Sequence, residues 1–219
     1  RQSVFEGIVE IVGNDFDGKG LGGIGIDLNG TQTVANIHNN LIHDFSGSSS
    51  GNISNRYIGI RVRGNAKAEI RNNTIKNNKD SKDSGNETYV GIGIYVENTA
   101  LTTISSNALS NNYVQYGSTD QNNWFVNFGN AQVYAPKKNV VMRYNALDRS
   151  PSNYPELVKG GVEHYDTVSN TSEGGGFLSN TVAKMEGRAG QNSGSPDDYH
   201  KDHDGSRNDI GANGGRNYI

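Results

Sequence analysis

One short pattern returns along the chain at intervals that indicate a repeat fold. It consists of an apolar residue, two variable residues, an asparagine, one further residue and a second apolar or aromatic residue, as in IRNNTI at residues 70–75. Successive copies are 26, 33, 34, 38 and 35 residues apart. A period in this range predicts a solenoid, a propeller or an array of small units. The shared asparagines are Asn14, Asn40, Asn73, Asn107, Asn145 and Asn180.

A second apolar motif lies between these asparagines. It reads GIGIDL at 23–28, GIRVRG at 59–64 and GIGIYV at 91–96, with weaker copies at 131–135 and 161–165. No segment combines a helical period with helix caps, and the four-stranded repeat of a propeller is not matched. Each repeat is therefore expected to hold two short strands with corners of variable length, which predicts an all-β parallel β-helix.

The asparagine is expected at a corner of each coil, where a strand ends. Stacked coils place equivalent residues directly above one another. Each buried amide then bonds both its own turn and the amide of the next coil. Strands usually avoid asparagine, and such a ladder explains why this chain repeats it.

The composition agrees with a narrow solenoid. Hydrophobic residues make up only 32% of the 219 residues, but the net charge is −3, and isoleucine and valine recur at fixed places. Disorder favours a higher net charge, whereas each rung of a solenoid needs few inward side chains. The chain has no cysteine, and none of its apolar runs reaches transmembrane length. We therefore expect no disulfide, no membrane insertion and no nucleic-acid partner.

In these motifs the chain resembles the right-handed parallel β-helix proteins of the pectate-lyase-like superfamily, over roughly residues 8–182. Its segment DGSRNDIGANGG at 204–215 is similar to the ending of many secreted bacterial members. The resemblance implies a domain of about six coils with long corner loops over 1–182 and a capping tail over 183–219. It also implies a bacterial protein that is secreted or lies on the cell surface. The family includes polysaccharide lyases, hydrolases and epimerases, but also phage spikes, adhesins and surface proteins, so the fold leaves the function open.

The GIxV strands predict two outward columns of side chains. Aromatic rings beside Asp and Arg suit a sugar chain that lies along the solenoid, and the Arg63 guanidinium suits a uronate carboxylate. A tyrosine stack that only stabilises the sheet is the alternative interpretation. The predicted glycan-binding column is Asp27, Arg63, Tyr95, Tyr134 and Tyr165, and the column beside it is Gly25, Arg61, Gly93, Gln132 and Glu163.

Two functions are compatible with these residues. The first is a non-catalytic extracellular module that stacks end to end with other copies of itself, binds a polysaccharide, or does both. The small number of coils, the missing N-terminal cap and the absence of a clustered acid–base set favour it. The alternative is a lyase, epimerase or hydrolase, or the C-terminal part of one, that acts on an acidic polysaccharide and uses arginine or lysine as base. Its candidate catalytic residues are Arg61, Arg63, Tyr95, Tyr134 and Glu163.

The polar segment at 197–209 is a candidate calcium site. Asp202, Asp204 and Asp209 resemble part of a calcium loop, although no glutamate closes it. The alternative is that Ser206, Arg207 and the aspartates tie the tail across the last coil. Calcium is thus the one cofactor considered, and none is required by the predicted functions.

Two further segments complete the predictions. The DFDGKG sequence at 15–20 is a weaker copy of the calcium pattern and is interpreted as a turn. The segment around Trp124 is too apolar for an unpacked loop, and is expected to cover the sheet or form a contact surface. A second outward column without a carboxylate cluster is interpreted as a solvated face. Its residues are His38, Arg71, Ser105 and Arg143, with His43 and Lys76 just beyond.

Overall fold

The structure is a computed structural model whose described part consists only of strands and connections. No helix in it is long and apolar enough to span a bilayer. Asn180 and the segment around Trp124 lie outside the described residues. Only the backbone is described at strand positions 130, 131, 136–139, 148, 158–165 and 171–173. The described residues are 7–31, 33–46, 57–79, 91–97, 101–112, 130–148, 158–165, 171–173, 194, 196, 201–202 and 204–212.

The strands form two sheets, and every strand pair within them is parallel. The first sheet contains β1 (Gly7–Val12), β3 (Ile24–Asn29), β4 (Thr33–His38), β6 (Ile58–Arg63), β7 (Lys67–Arg71), β9 (Gly91–Val96), β10 (Thr102–Ser105), β12 (Asn130–Arg143) and β14 (Val158–Tyr165). The second contains β2 (Asp15–Asp17), β5 (Leu41–His43), β8 (Thr74–Lys76), β11 (Ala108–Ser110), β13 (Ala146–Asp148) and β15 (Thr171–Glu173).

A central repeat contains three strands, so the prediction of two was wrong. The chain passes through β3, β4 and β5, then β6, β7 and β8, then β9, β10 and β11, and each strand pairs with its equivalent in the next repeat. The asparagine motif itself spans two strands: β7 ends at Arg71 and β8 begins at Thr74. Between them Asn72 has a φ of 51°, a left-handed conformation that ends a strand. The topology is compatible with a β-solenoid.

The core is formed by inward columns that run through the stacked strands. One column follows β1, β4, β7, β10 and β12, and a second follows the strands of the second sheet. From the second repeat onward these side chains are almost fully buried. The columns are Ile11, Ile37, Ile70, Ile104 and Met142, and Phe16, Ile42, Ile75, Leu109 and Leu147.

Asparagine amides connect the corners of successive repeats. Asn73 Nδ2 donates to Asn107 Oδ1 at 3.0 Å and to the carbonyls of Ile37 and Arg71 at 2.9 Å. The backbone N–H of Asn73 donates to the same Asn107 Oδ1 at 2.9 Å. Equivalent side-chain bonds join Asn14 to Asn40, Asn40 to Asn73 and Asn107 to Asn145. A fully buried amide is thus satisfied at its donor and its acceptor.

A second amide ladder lies at the next corner. Asn78 Nδ2 donates to Asn112 Oδ1 at 2.9 Å, and Asn112 Nδ2 donates to Gln132 Oε1 at 2.7 Å. The sequence signal for it is an Asn-Asn pair directly after the last strand of two repeats, in KNN at 76–78 and SNN at 110–112. This ladder was not predicted from the sequence.

The position predicted to point outwards at Gly25, Gly93 and Gln132 is packed against the interior. A Cβ on Gly93 would lie 2.5 Å from the Gln132 carbonyl oxygen and 3.1 Å from Asn112 Nδ2, so no larger residue fits without a shift. Gln132 itself is fully buried, and its side chain receives the second amide ladder. The prediction of an outward column at these residues was therefore wrong.

The tail contacts several repeats along the side of the stack. Asn208 Nδ2 donates to Ser106 Oγ at 3.1 Å, and Asn72 Nδ2 donates to Asn208 Oδ1 at 2.8 Å. Farther along, Asn39 Nδ2 donates to the carbonyl of Ala212 at 2.9 Å. The tail was predicted to lie across the last coil, whereas these contacts reach several repeats. The reason is that left-handed corner residues carry buried polar side chains, which the tail satisfies.

Substitution of Asn73 by alanine tests the first ladder. Asn73→Ala removes the Oδ1 that accepts from both the backbone N–H and Nδ2 of Asn40. Because these groups are buried, we expect a loss of about 3 kcal/mol in the free energy of unfolding, measured by urea denaturation. Asn14→Ala, at the exposed end of the same ladder, is the control and should cost less than about 1 kcal/mol. Equal costs would contradict the role of the ladder.

Candidate functional site

The outer face of β3, β6, β9 and β12 carries the candidate site, in a register that differs from the predicted one. Asp27 pairs with Arg61, Arg61 with Tyr95, and Tyr95 with Tyr134. Arg63 pairs instead with Asn29. The predicted column therefore placed Arg63 where Arg61 stands.

The error arose from the choice of repeating unit. Aligning the first glycines of GIGIDL and GIRVRG shifts the second strand by two residues. Because a strand has a period of two, the shifted alignment keeps the same inward and outward alternation. The structure aligns Ile24 with Ile58 and Ile92, each followed by glycine and isoleucine. The Ile-Gly-Ile tripeptide, repeated every 34 residues, was the signal that gives the correct register.

Glu163 and Tyr165 lie in another part of the sheet. Glu163 pairs with Val141 and Tyr165 with Met142, whereas the β14 partner of Tyr134 is Lys159. Since β12 pairs with β9 through its first half and with β10 through its second, the two positions lie beside the β10 half. The structure does not place either residue in register beside Tyr95 and Tyr134.

Both arginines of the face are held by carboxylates. Arg63 Nε lies 3.0 Å from Asp27 Oδ1 and its Nη2 lies 2.8 Å from Oδ2, a two-pronged pair. Arg61 Nε donates to Glu97 Oε1, and Arg61 is only 9% exposed. Glu97, which follows directly after β9, was not among the predicted site residues. The Ile-Gly-Ile alignment places it one repeat along from Arg63. The face thus carries two closed ion pairs of balanced charge.

Tyr95 and Tyr134 form a stacked pair on an apolar bed. Their ring centroids are 5.2 Å apart and their planes are inclined by 18°. They pack against Ile58 and Ile92, with Ile24 at the end of the row. Burial, followed by the charge of Glu97 and the neighbouring Tyr134, raises the pKa of Tyr95 to about 12, and burial raises the pKa of Tyr134. Both phenols are therefore neutral near pH 7.

The stacking limits what the two rings can bind. One face of each ring is covered by the other ring, so the pair offers its edges and hydroxyl groups more than its faces. Neutral phenol hydroxyls both donate and accept hydrogen bonds. This part of the face suits a ligand rich in hydroxyl groups better than one that needs an open aromatic face.

The second outward column has the predicted register and, contrary to expectation, carboxylates beside it. His38 pairs with Arg71, Arg71 with Ser105, and Ser105 with Arg143. Glu10 Oε2 lies 3.2 Å from His38 Nε2, and Glu69 Oε1 lies 3.4 Å from Arg71 Nε. These carboxylates stand two residues earlier along the strands, where a search along a single column does not find them.

The candidate calcium residues bond within their own turn. Asp204 Oδ1 accepts from the backbone N–H of Ser206 at 2.9 Å, and Asp202 Oδ1 accepts from that of Asp209 at 3.3 Å. Arg207 Nε donates to the Gly194 carbonyl at 2.9 Å, and its guanidinium lies 5.7 Å from the Tyr144 ring centroid. These contacts hold the tail together, and calcium at this turn stays a prediction.

Comparison with protein-family models, curated proteins and solved structures found no match to this chain. The similarity to pectate-lyase-like solenoids therefore stays a prediction from the repeat motifs and the C-terminal segment. The parallel sheets of the structure are compatible with it.

Acid titration tests the network around Glu10. The Asn36 amide, which donates to Glu10 Oε1 at 2.6 Å, lowers the pKa of Glu10, and the hydrogen bond and charge of His38 add to this effect. A carboxyl with a lowered pKa in the folded state stabilises the fold above its unfolded pKa, near 4.5. That contribution is lost as the pH falls through the folded pKa.

We expect Glu10 to titrate below its ordinary range in a carboxyl NMR titration, and Asn36→Ala to move its pKa upwards. Glu10→Gln should reduce the free energy of unfolding at pH 6 by more than at pH 3, where the wild-type side chain is itself becoming neutral. An unshifted Glu10 titration in the wild-type protein would contradict the network.

Proposed function

We propose that the chain is an extracellular or cell-surface module that binds a polysaccharide without cleaving it. In this proposal the two parallel sheets belong to a right-handed parallel β-helix of about six coils. Six successive groups of strands, from β1 and β2 to β14 and β15, support the coil number. The similarity of residues 204–215 to the ending of secreted β-helix proteins supports the location.

The observation that carries the proposal is the Tyr95–Tyr134 pair. Its two neutral hydroxyls belong to residues paired on adjacent strands, which are about 4.8 Å apart, and the rings pack on an apolar bed. Two neighbouring hydroxyls that both donate and accept suit a ligand that presents several hydroxyl groups, as a sugar chain does. Apolar surface flanked by a few polar groups is typical of sites for such ligands.

The charges of the face favour a neutral glycan over a polyuronate. Asp27 closes on Arg63, and Glu97 closes on Arg61, so the four groups carry no net charge. A uronate at either arginine would stand beside the carboxylate that the arginine already binds, and the two negative charges would repel. A neutral sugar hydroxyl meets no such repulsion.

The same contacts argue against the catalytic alternative. An arginine paired with a carboxylate keeps its proton, and a phenol with a pKa of about 12 keeps its own near neutral pH. Neither group is then a base for removal of a C5 proton. Glu163, the predicted carboxylate of the set, is not in register beside Tyr95.

Affinity electrophoresis in gels that contain a soluble polysaccharide tests the proposal. We expect retardation by a neutral β-glucan or galactomannan and weaker retardation by polygalacturonate. The Tyr95→Phe/Tyr134→Phe double variant keeps both rings but lacks both hydroxyls. We expect its affinity to fall by about 30-fold, since each of the two lost hydrogen bonds costs about 1 kcal/mol.

Tyr144→Phe is the matched control, because Tyr144 lies at a corner beside Arg207, away from this face. It should bind as the wild-type protein does. Unchanged binding by the double variant would show that the site is elsewhere. Release of reducing or unsaturated sugars by the wild-type protein would favour the catalytic alternative instead.

A second function, assembly with other copies of the chain, is favoured by the first described repeat. β1 and β2 are the outermost strands of their sheets within the described residues. Their inward residues Val9, Ile11 and Phe16 are only partly buried, whereas the equivalents in later repeats are fully buried. A strand edge that has no partner among the described strands, with apolar side chains behind it, is a surface on which another strand can add. We propose that the edge of a second copy occupies it.

Light scattering over a range of concentrations tests assembly. Val9→Lys places a charge on the inward side of the edge strand. We therefore expect the variant to form oligomers only at concentrations at least about tenfold higher than the wild-type protein needs. Val34→Lys, on the outer face of the next repeat, is the control and should assemble normally. A wild-type protein that stays monomeric at all concentrations would contradict assembly.

A further inference from the structure

One imidazole near the first corner of the second sheet is surrounded by carboxylates. His43 Nδ1 lies 2.6 Å from Asp44 Oδ2 and 4.0 Å from Asp17 Oδ1, and His43 Nε2 lies 2.9 Å from Asp15 Oδ1. The His43 side chain is only 15% exposed. Ligand atoms of Asp17, His43 and Asp44 all lie within 4.8 Å of one another, and no other such trio of His, Cys, Asp or Glu occurs in the described part of the chain.

A neutral His43 ring cannot donate a hydrogen bond to both of the carboxylates that its nitrogens face. A neutral imidazole has one N–H, but both of its nitrogens face a carboxylate oxygen. If Nε2 donates to Asp15, the Nδ1 lone pair points at Asp44 Oδ2 from 2.6 Å, which is repulsive. A cation at Nδ1, either a second proton or a metal ion, removes the repulsion.

The surrounding contacts resemble the support that metal ligands receive. The Asp15 carboxylate on Nε2 would fix the tautomer that leaves Nδ1 free to bind a metal. Asn77 Nδ2 donates to Asp44 Oδ1 at 3.0 Å, and the backbone N–H of Lys19 donates to Asp17 Oδ1 at 2.8 Å. Each carboxylate is thus oriented by a second group.

We infer that Asp17, His43 and Asp44 bind a divalent transition-metal ion of the zinc type, with Asp15 as a positioning residue. Tetrahedral bonds of the lengths found at zinc place neighbouring ligand atoms roughly 3.3 Å apart. The Nδ1 distances of 2.6 and 4.0 Å bracket this value, so small rotations of the aspartates suffice. Two carboxylates neutralise the ion, and the imidazole favours zinc, cobalt or nickel over calcium and magnesium.

The metal would join the first repeat to the second. Asp17 belongs to β2, whereas His43 ends β5 and Asp44 follows it. The two strands already pair through Asp17 and His43, and Gly18 donates to the carbonyl of His43 at 2.9 Å. The ion would therefore stabilise the outermost described repeat, which pairs with a single neighbouring repeat among the described strands.

Calorimetric titration of the chelator-treated full chain with zinc chloride tests the inference. We expect one equivalent to bind and to raise the melting temperature, because the ion binds the folded state only. Asp17→Asn should weaken binding by at least about tenfold and His43→Gln should abolish it. Asp15→Asn should weaken it by about 10- to 100-fold, as outer-shell changes do. The His43 Nδ1 resonance of the wild-type protein should shift with one equivalent of zinc.

Asp27→Asn is the matched control, since Asp27 is an aspartate on another face of the repeat that contains His43. Zinc binding should be unchanged in this variant. The Asp17→Asn variant is expected to fold normally, because the Asp17 side chain is exposed and lies outside the core. Zinc binding that survives both Asp17→Asn and His43→Gln would overturn the inference. Absence of binding, or calcium binding as tight as that of zinc at these residues, would overturn it as well.

Discussion

The buried side-chain amide is the interaction on which this fold depends. Each turn of the stack leaves backbone groups without a strand partner at its corners, and burial there requires that other groups satisfy them. Asn40, Asn73 and Asn107 fill this need because a single amide accepts from the backbone N–H of the preceding repeat and donates to the carbonyls around it. The amides repeat at the spacing of the strands, so the same groups that satisfy a corner also set the register between repeats.

The ladders explain where small and left-handed residues are required. Asn72 takes a positive φ immediately before a ladder residue, and its buried side chain is then satisfied by the tail through Asn208. At the next corner, Gly93 leaves space for the amide of Asn112. The tail is therefore an integral part of the stack: it completes hydrogen bonds that the repeats open at their corners.

The sequence predicted the repeat and its inward columns better than the outer face. Asparagine spacing indicated a stacked fold because amides and isoleucines must recur with every turn, and the register at His38 and Arg71 followed from it. The pattern did not reveal the two-residue shift at Arg63. Since a strand has a period of two, an alignment shifted by two residues shows the same alternation as the correct one. The ion pairs lie diagonally between repeats, as between Arg61 and Glu97, so neither strand alone shows them.

The register decides which chemistry the outer face can support. With Arg63 beside Tyr95, as first expected, a free guanidinium would stand next to an aromatic ring and suit an acidic sugar. The actual neighbour, Arg61, is instead enclosed and paired with Glu97, and Arg63 closes on Asp27. Charges that neutralise one another across repeats reinforce the stack and leave the tyrosine hydroxyls as the groups with capacity for a ligand. At the first corner Asp15 lies diagonally to His43 and Asp17 lies beside it in register, and no arginine binds these carboxylates among the contacts described there. This is the arrangement at which we propose a bound metal ion.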